Sequence, residues 1–324
     1  MLTPEWKHIL RFRRLALGVF LLFFLVILAG VTVRVLGAGM GCPDWPTCYG
    51  QLIPPTHESQ LPADYRERYA VAGRLAEPFD PFKTWVEYLN RLVSVLAGIS
   101  VIFWVGYAWF YLRAYPVLLR YVTAVPILLV IQALLGWRVV ATYLAEYMIS
   151  IHMFFSLLLT MSVLLAWAWT FRLSERAQAG DWRFYEALGW VSWGALLVQV
   201  FLGTLVRSAI ARYGVEEGLD RWIFYLHRTF SWFVLAGWSY FHWRVYREPV
   251  RLPLARRWAS WTTIALLIQA ITGAVMVYIR FAAPLQVMHL VLSLFAVNSG
   301  FISMYFLRYS GYGSTYKSIP RLFT

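Results

Sequence analysis

The chain has 324 residues, of which 60% are hydrophobic and only 14% charged, and it carries a formal net charge of +13. A soluble domain of this length carries roughly a quarter charged residues, so an ordinary water-soluble enzyme or binding module is excluded. The basic residues sit in short segments between apolar runs, which reads as membrane topology and not as a nucleic-acid surface.

Eight apolar runs follow one another, at 15–36, 84–112, 119–141, 148–171, 186–207, 222–246, 257–279 and 286–308. Runs of about 20 residues cross a bilayer core of about 30 Å as helix. Isolated strands cannot satisfy their backbone in lipid, so the expected fold is an all-α membrane protein with eight transmembrane helices. Lys7, Arg11, Arg13 and Arg14 precede the first run, and no small-residue cleavage site follows it, so it is expected to remain as a membrane anchor. Glu5 in this short leader argues against a mitochondrial transit peptide and leaves a bacterial plasma membrane as the simplest address.

Between the first and second runs lies a long connection, 37–83, containing GAGMGCPDWPTCYG and the only two cysteines, Cys42 and Cys48. Later connections carry Arg113 and Arg120, then Arg172, Arg176 and Arg183, then Arg244, Arg247, Arg251, Arg256 and Arg257; the tail adds Arg308, Lys317 and Arg321. If the helices alternate, these basic groups share one side with the N-terminus. The positive-inside rule then puts both termini in the cytoplasm and 37–83 outside. Disulfides persist there. The five residues between the cysteines, including Pro43 and Pro46, can close a small loop, either as a structural staple or as an exchanging thiol–disulfide pair.

EYLNR at 87–91 returns as FYLHR at 224–228. One offset of 137 carries Asn90 onto His227, Arg91 onto Arg228, Ser94 onto Ser231, Gln132 onto Gln269, Gly136 onto Gly273 and His152 onto His289. GVTVR at 30–34 matches GTLVR at 203–207 at an offset of 173, and the difference of 36 is extra length in the connection after the first helix. The chain is thus expected to be a tandem duplication of two four-helix bundles, 1–175 and 176–324, with 37–83 as an insertion in the first.

Runs 2, 4, 6 and 8 enter from the outer side. Asn90, His152, His227 and His289 lie one or two turns into them, near the outer face. Histidine in a membrane helix is a functional-site hypothesis, against the alternative of a hydrogen bond to a neighbouring helix. Two imidazoles on opposed helices, His227 and His289, are the usual axial pair of a six-coordinate b-type haem. Zinc would want three or four ligands close together, which the sequence does not offer. Arg34, Arg91, Arg207 and Arg228 sit at outer helix ends, where guanidinium forks suit haem propionates and where plain snorkelling is the competing explanation. Gln132/Gly136 and Gln269/Gly273 are i, i+4 pairs that close helix packing explains at least as well as a haem contact.

The first half differs. It has His152, Asn90 where its copy has His227, and Glu87 three residues before Asn90 on the same helix face. Glu87 reads either as a cap for the first turn of its helix or as an acid/base group beside a reactive ligand. His8 in the N-terminal tail, His57 in the insertion and His242 near the inner end of run 6 have no repeat partners and read as solvated or interfacial.

Taken together, the duplication, the stretch at 37–48, Glu87, and His152, His227 and His289 resemble the haem A synthase family over nearly the whole chain. The resemblance implies a haem b cofactor on the second-half histidines, and substrate haem O bound in the first half at His152 and Asn90. It implies oxidation of one ring methyl to a formyl group in successive hydroxylations, giving haem A for terminal oxidases. Glu87 matches the family's catalytic candidate, and Cys42 and Cys48 match a pair linked to activity in some members. The chain departs from the family's Glu-x-x-His, reading Glu87-Tyr-Leu-Asn90. Lipid, haem O, the haem O synthase and a second copy of the chain are the partners this reading allows, with no nucleic acid and with the electron donor unassigned. A two-haem electron-transfer cytochrome would leave Glu87 and the cysteine loop without a task. A haem transporter or chaperone would not need a closed bis-histidine site.

Overall fold

A computed structural model describes residues 3–173, 183–247, 253–279 and 281–311. Among them are eight long helices: α1 (Pro4–Val35), α2 (Pro81–Tyr111), α3 (Pro116–Ala141), α4 (Glu146–Trp169), α5 (Arg183–Tyr213), α6 (Trp222–Arg247), α7 (Pro253–Tyr278) and α8 (Ala283–Gly311). No strand occurs among the described residues, only isolated bridges between Cys48 and Gln51 and between Val71 and Arg74. Seven of these helices are long and apolar enough to cross a membrane, and the protein is an all-α, multi-pass membrane protein. The other helix, α6, has 26 residues, about 39 Å of helix, but is too polar to meet the same standard. His227 and Arg228 near its start, His242, Arg244 and Arg247 near its end, and the tryptophans and tyrosines along it lower its hydropathy.

The helix starts follow from local chemistry. Asp80 accepts the Lys83 amide at 3.2 Å and Pro81 opens α2. Proline tolerates a first turn because its missing N–H would be unsatisfied there anyway. Thr3 accepts the Trp6 amide at 3.3 Å ahead of Pro4, so α1 begins before its apolar run. The Lys and Arg residues of that leader are good helix formers. His8 is therefore not in a loose tail. Its ring stacks on Tyr111 at 4.3 Å and Nδ1 meets the Tyr107 hydroxyl at 2.8 Å. His242 is half-buried, and its ring nitrogens meet Ser260 Oγ at 2.9 Å and Thr263 Oγ1 at 3.0 Å. His57 is exposed, as expected. Arg176, Arg251, Lys317 and Arg321, and the expected boundary at 175/176, lie outside the described residues.

The chain forms two compact units that divide within α4, the first Thr3–Val163 and the second from Leu164. In the first, α1 packs along α2 and α2 along α3. Phe12 stacks on Trp104 at 5.3 Å, with Ile9, Val101 and Ala108 buried. In the second, α5 meets α6, α6 meets α7, α7 meets α8, and α8 returns to α5. Small residues allow the close approach. A Cβ at Gly189 would come within 2.1 Å of Met304 Sδ. Some buried polar groups are paired across helices: Trp238 Nε1 donates to the Ala259 carbonyl at 3.2 Å, and the Thr262 and Ser299 hydroxyls meet at 2.8 Å. In a membrane interior such pairing replaces the water that is absent.

The connection from α1 to α2 folds on its own small core. Cys42, Cys48, Tyr49 and Tyr65 are buried, with Leu61, Tyr69, Phe79 and Tyr88 packed around them. Cys42 and Cys48 form a disulfide, and the Trp45–Pro46 peptide is cis.

Candidate functional site

His152, His227 and His289 are half-buried on α4, α6 and α8. Each meets a glutamine from the preceding helix. Gln132 Nε2 lies 3.2 Å from His152 Nε2, and 3.2 Å from the His152 carbonyl, to which it donates. Gln199 Nε2 lies 3.1 Å from His227 Nδ1 and donates to the His227 carbonyl at 3.0 Å. Gln269 Nε2 lies 3.4 Å from His289 Nε2, and the Thr272 hydroxyl meets His289 Nδ1 at 3.1 Å.

One turn beyond each glutamine, a glycine makes room for the ring. A Cβ at Gly203 would stand 3.2 Å from His227 Cε1, and one at Gly273 would stand 3.1 Å from His289 Cε1. At Gly136 the distance to His152 Cε1 is 3.4 Å. Asn90 occupies the same kind of notch, with its Oδ1 3.7 Å from a Cβ placed on Gly30. Gln132/Gly136 and Gln269/Gly273 were visible in the sequence as i, i+4 pairs. What they pack against is the histidine on the next helix. The third pair, Gln199/Gly203, escaped the sequence comparison because its counterpart at the 173 offset is Val26/Gly30. The signal was present as a Gln-x-x-x-Gly phrase occurring three times.

Glu87 is 5% exposed and makes no bond to the first turn of α2, which Asp80 caps. Its Oε2 accepts the Cys42 amide at 2.9 Å, and its Oε1 accepts Arg91 Nη2 at 2.6 Å. Arg91 also donates to three loop carbonyls: Cys42 at 2.8 Å, Asp44 at 2.7 Å and Thr47 at 2.8 Å. Thr84 Oγ1 donates to the Gly41 carbonyl at 2.9 Å. At Gly41 only glycine fits, since a Cβ would lie 2.6 Å from the Lys83 carbonyl. The disulfide loop is thereby clamped onto the first three turns of α2. Asp44 tightens its far side, accepting the Tyr49 and Gly50 amides at 2.5 and 2.9 Å. Burial pushes the Tyr49 phenol above its ordinary pKa, with the neighbouring Tyr65 phenol adding to the shift, so it stays neutral at physiological pH.

The other arginines differ. Arg34 Nη1 lies 3.5 Å from Met153 Sδ, bringing α1 to α4. Arg228 lies over the rings of Tyr225 and Phe224 at 5.5 and 5.9 Å. Arg207 has no hydrogen bond or ion pair among the described residues.

The residues fit a bound haem on one observation. His152 Nδ1 and the Oε1 atoms of Gln132, Gln199 and Gln269 are buried without a hydrogen-bond partner among the described residues. A buried polar atom left unpaired costs about 1–3 kcal/mol, so four at one kind of position call for an occupant or a rearrangement that pairs them.

Residues 13–299 match the family model described as "Cytochrome oxidase assembly protein". A protein of Listeria welshimeri named "Heme A synthase" is 23% identical over 270 residues, covering 78% of this chain and 81% of that protein. One of the same name from Bartonella bacilliformis is 26% identical over 204 residues, 58% of this chain and 55% of its own. A third, from Shewanella oneidensis, is 36% identical over 78 residues, 24% of this chain and 22% of its own.

Proposed function

Because the chain belongs to the haem A synthase family of cytochrome oxidase assembly proteins, we propose that it converts haem O to haem A by oxidising one ring methyl to a formyl group in successive hydroxylations. The observation that carries this reading is the contrast between two sites of common design. One presents two histidines, His227 and His289, each in its glutamine–glycine notch. The other presents His152, an amide at Asn90, and the buried carboxylate of Glu87 three residues away. A complete cage beside an altered one with an added acid suits a cofactor site beside a substrate site.

In this reading the halves 1–175 and 176–324 divide the work. His227 and His289 would hold a haem b, which when bound would supply one-electron transfer. Arg207 and Arg228, at the outer ends of α5 and α6, offer guanidinium donors to its propionates. Substrate haem O takes His152 as its one strong protein ligand. Asn90, a neutral amide, is too weak a ligand to hold the iron low-spin, so its side presents a position for water or an oxygen species. Arg34 serves the substrate propionates. Arg91 reaches the same end of α2, and its four acceptors make it the holder of the loop as well.

Glu87 is the proton-handling group. With Oε1 held by Arg91 and Oε2 by the Cys42 amide, the carboxylate cannot swing, so its position relative to Asn90 is fixed by α2 and by the loop together. The Cys42–Cys48 disulfide closes that loop and ties the redox state of the outer segment to the placement of Glu87. The enzyme would sit in a bacterial plasma membrane with both termini cytoplasmic and both haem sites toward the outer face, receiving haem O from its synthase.

Pigment extraction and mass analysis of the purified protein test the reading. Haem B together with haem O or haem A is the expected result. Haem B alone, at two per chain, would make the protein an electron-transfer cytochrome instead.

A further inference from the structure

Glutamine faces each of the three histidines at the repeated positions, and is missing opposite Asn90. Gln132, Gln199 and Gln269 face His152, His227 and His289. The offset of 173 that pairs Gly30 with Gly203 pairs Val26 with Gln199, and the residue opposite Gly30 is Asn90. Helix packing does not demand the amide, because valine fills the equivalent place on α1. A primary amide in a membrane interior is costly unless it is bonded. Its recurrence therefore follows the imidazole.

We propose that Gln132, Gln199 and Gln269 are positioning residues for the haem-ligating histidines, and that the Asn90 site has lost both members of such a unit, the histidine and, at Val26, its glutamine. This rests on the haem reading above. An imidazole bound to a metal through one nitrogen carries its proton on the other and needs an acceptor there. Each glutamine Nε2 lies against a ring nitrogen, while its Oε1 is buried without a partner among the described residues. The two ends of an amide have nearly the same shape. A half-turn brings the unpaired oxygen to a ring N–H, at the expense of the bonds that Gln132 and Gln199 Nε2 donate to the histidine carbonyls. An acceptor on the ring N–H makes the ligand more basic and favours ferric iron, which lowers the potential.

The three units are unequal in a useful way. Gln199 is the only side chain bonded to the His227 ring among the described residues, at 3.1 Å. His289 has a partner on each nitrogen, Thr272 at Nδ1 at 3.1 Å and Gln269 at Nε2 at 3.4 Å, so an iron on this ring would displace one of them. Loss of Gln199 is therefore felt more than loss of Gln269. On α1, Val26 donates nothing, and Asn90 Oδ1 is left buried and unpaired among the described residues.

The test uses the full chain, purified with its haems, in four forms: parent, Val26→Gln, Asn90→His and Val26→Gln/Asn90→His. Haem per chain is counted by pigment extraction, and spin state is read by electron paramagnetic resonance. Asn90→His is expected to give a first-half haem of mixed spin. Adding Val26→Gln should raise its low-spin to high-spin ratio about fivefold, the factor that one net hydrogen bond is worth. Val26→Gln alone should leave the parent spectrum unchanged. In the second half, Gln199→Leu should keep its haem but shift the low-spin g values and raise the midpoint potential, Gln269→Leu should do so less, and Gln199→Glu should bring the potential back down. A double variant with the same spin ratio as Asn90→His, or a Gln199→Leu protein with parental g values and potential, would overturn the proposal. If neither Asn90→His protein gains low-spin haem while Gln199→Leu still shifts the second-half signal, it is the assignment of Asn90 to an axial position that is wrong, and the Val26 part falls with it.

Discussion

Arg91 ties four oxygens into one cluster, three loop carbonyls and the Glu87 carboxylate. Glu87 and Arg91 are both largely buried, at 6% and 14% side-chain exposure. Removing one partner of a buried ion pair leaves the other charge uncompensated, at a cost of about 3–5 kcal/mol. Closing a short disulfide loop contributes about 2–3 kcal/mol by chain entropy. Arg91→Ala should therefore loosen the 37–83 segment more than Cys42→Ser/Cys48→Ser does. Amide exchange at Cys42 and limited proteolysis within 37–83 measure this, and faster cleavage of the double serine variant would reverse the ranking. Arg91→Lys should recover little, since one ammonium cannot span the same four acceptors. Glu87→Gln separates charge from placement. Its amide oxygen can still accept the Cys42 amide, and Arg91 keeps its three loop carbonyls, so the loop should loosen less than in Arg91→Ala and haem O should stay bound, while haem A formation should fall at least about a hundredfold, in line with loss of a general acid–base group. A Glu87→Gln protein with full turnover would leave Glu87 only its structural bonds.

At the scale of elements, the helices were legible because about 20 apolar residues have little choice in lipid but to form one. Their ends were less so. The apolar run placed the start of α1 at 15, whereas Thr3 and Pro4 start it eleven residues earlier, because basic residues extend a helix as readily as leucine does. The same polar letters that mark α6 as functional, His227 and Arg228 above all, help to make it the least apolar of the long helices. His242 could not be read from sequence at all. Its partners Ser260 and Thr263 lie on α7, and nothing in spacing along α6 points to them. Glu87 was legible as a buried acid near a ligand position, but not as a clamp for Cys42, because that bond spans 45 residues. The α6/α8 pair carries its own expectation. His227→Ala and His289→Ala should each abolish the low-spin haem b signal, because either leaves one axial ligand. His152→Ala should spare that signal and lower haem O retention. A full low-spin spectrum in both second-half variants would remove haem from this pair.

At the scale of the whole molecule, orientation has two independent arguments that need not have agreed. The first is charge. Lys7, Arg11, Arg13 and Arg14 lie in the first turns of α1, and Arg113, Arg120, Arg172, Arg183, Arg256 and Arg257 lie at or near the ends of helices on the same alternating side. Basic residues near the ends of membrane helices are retained in the cytoplasm. The second is redox chemistry. The Cys42–Cys48 disulfide sits in the connection from α1 to α2, at the other end of α1 from Lys7, Arg11, Arg13 and Arg14, and disulfides persist outside the reducing cytoplasm. On the proposed alternation of helices, both arguments expect 37–83 outside. The residues of the proposed sites follow, since Glu87, Asn90, Arg91 and His227 all lie in the first turns of helices entering from that side. Alkaline phosphatase fused within 37–83 should then be active, and the same reporter in the 113–120 connection should be inactive. After reduction, a membrane-impermeant thiol reagent should label Cys42 and Cys48 in intact cells. Phosphatase activity at 113–120 with none in 37–83 would invert the topology, and would place the proposed haem sites at the cytoplasmic face.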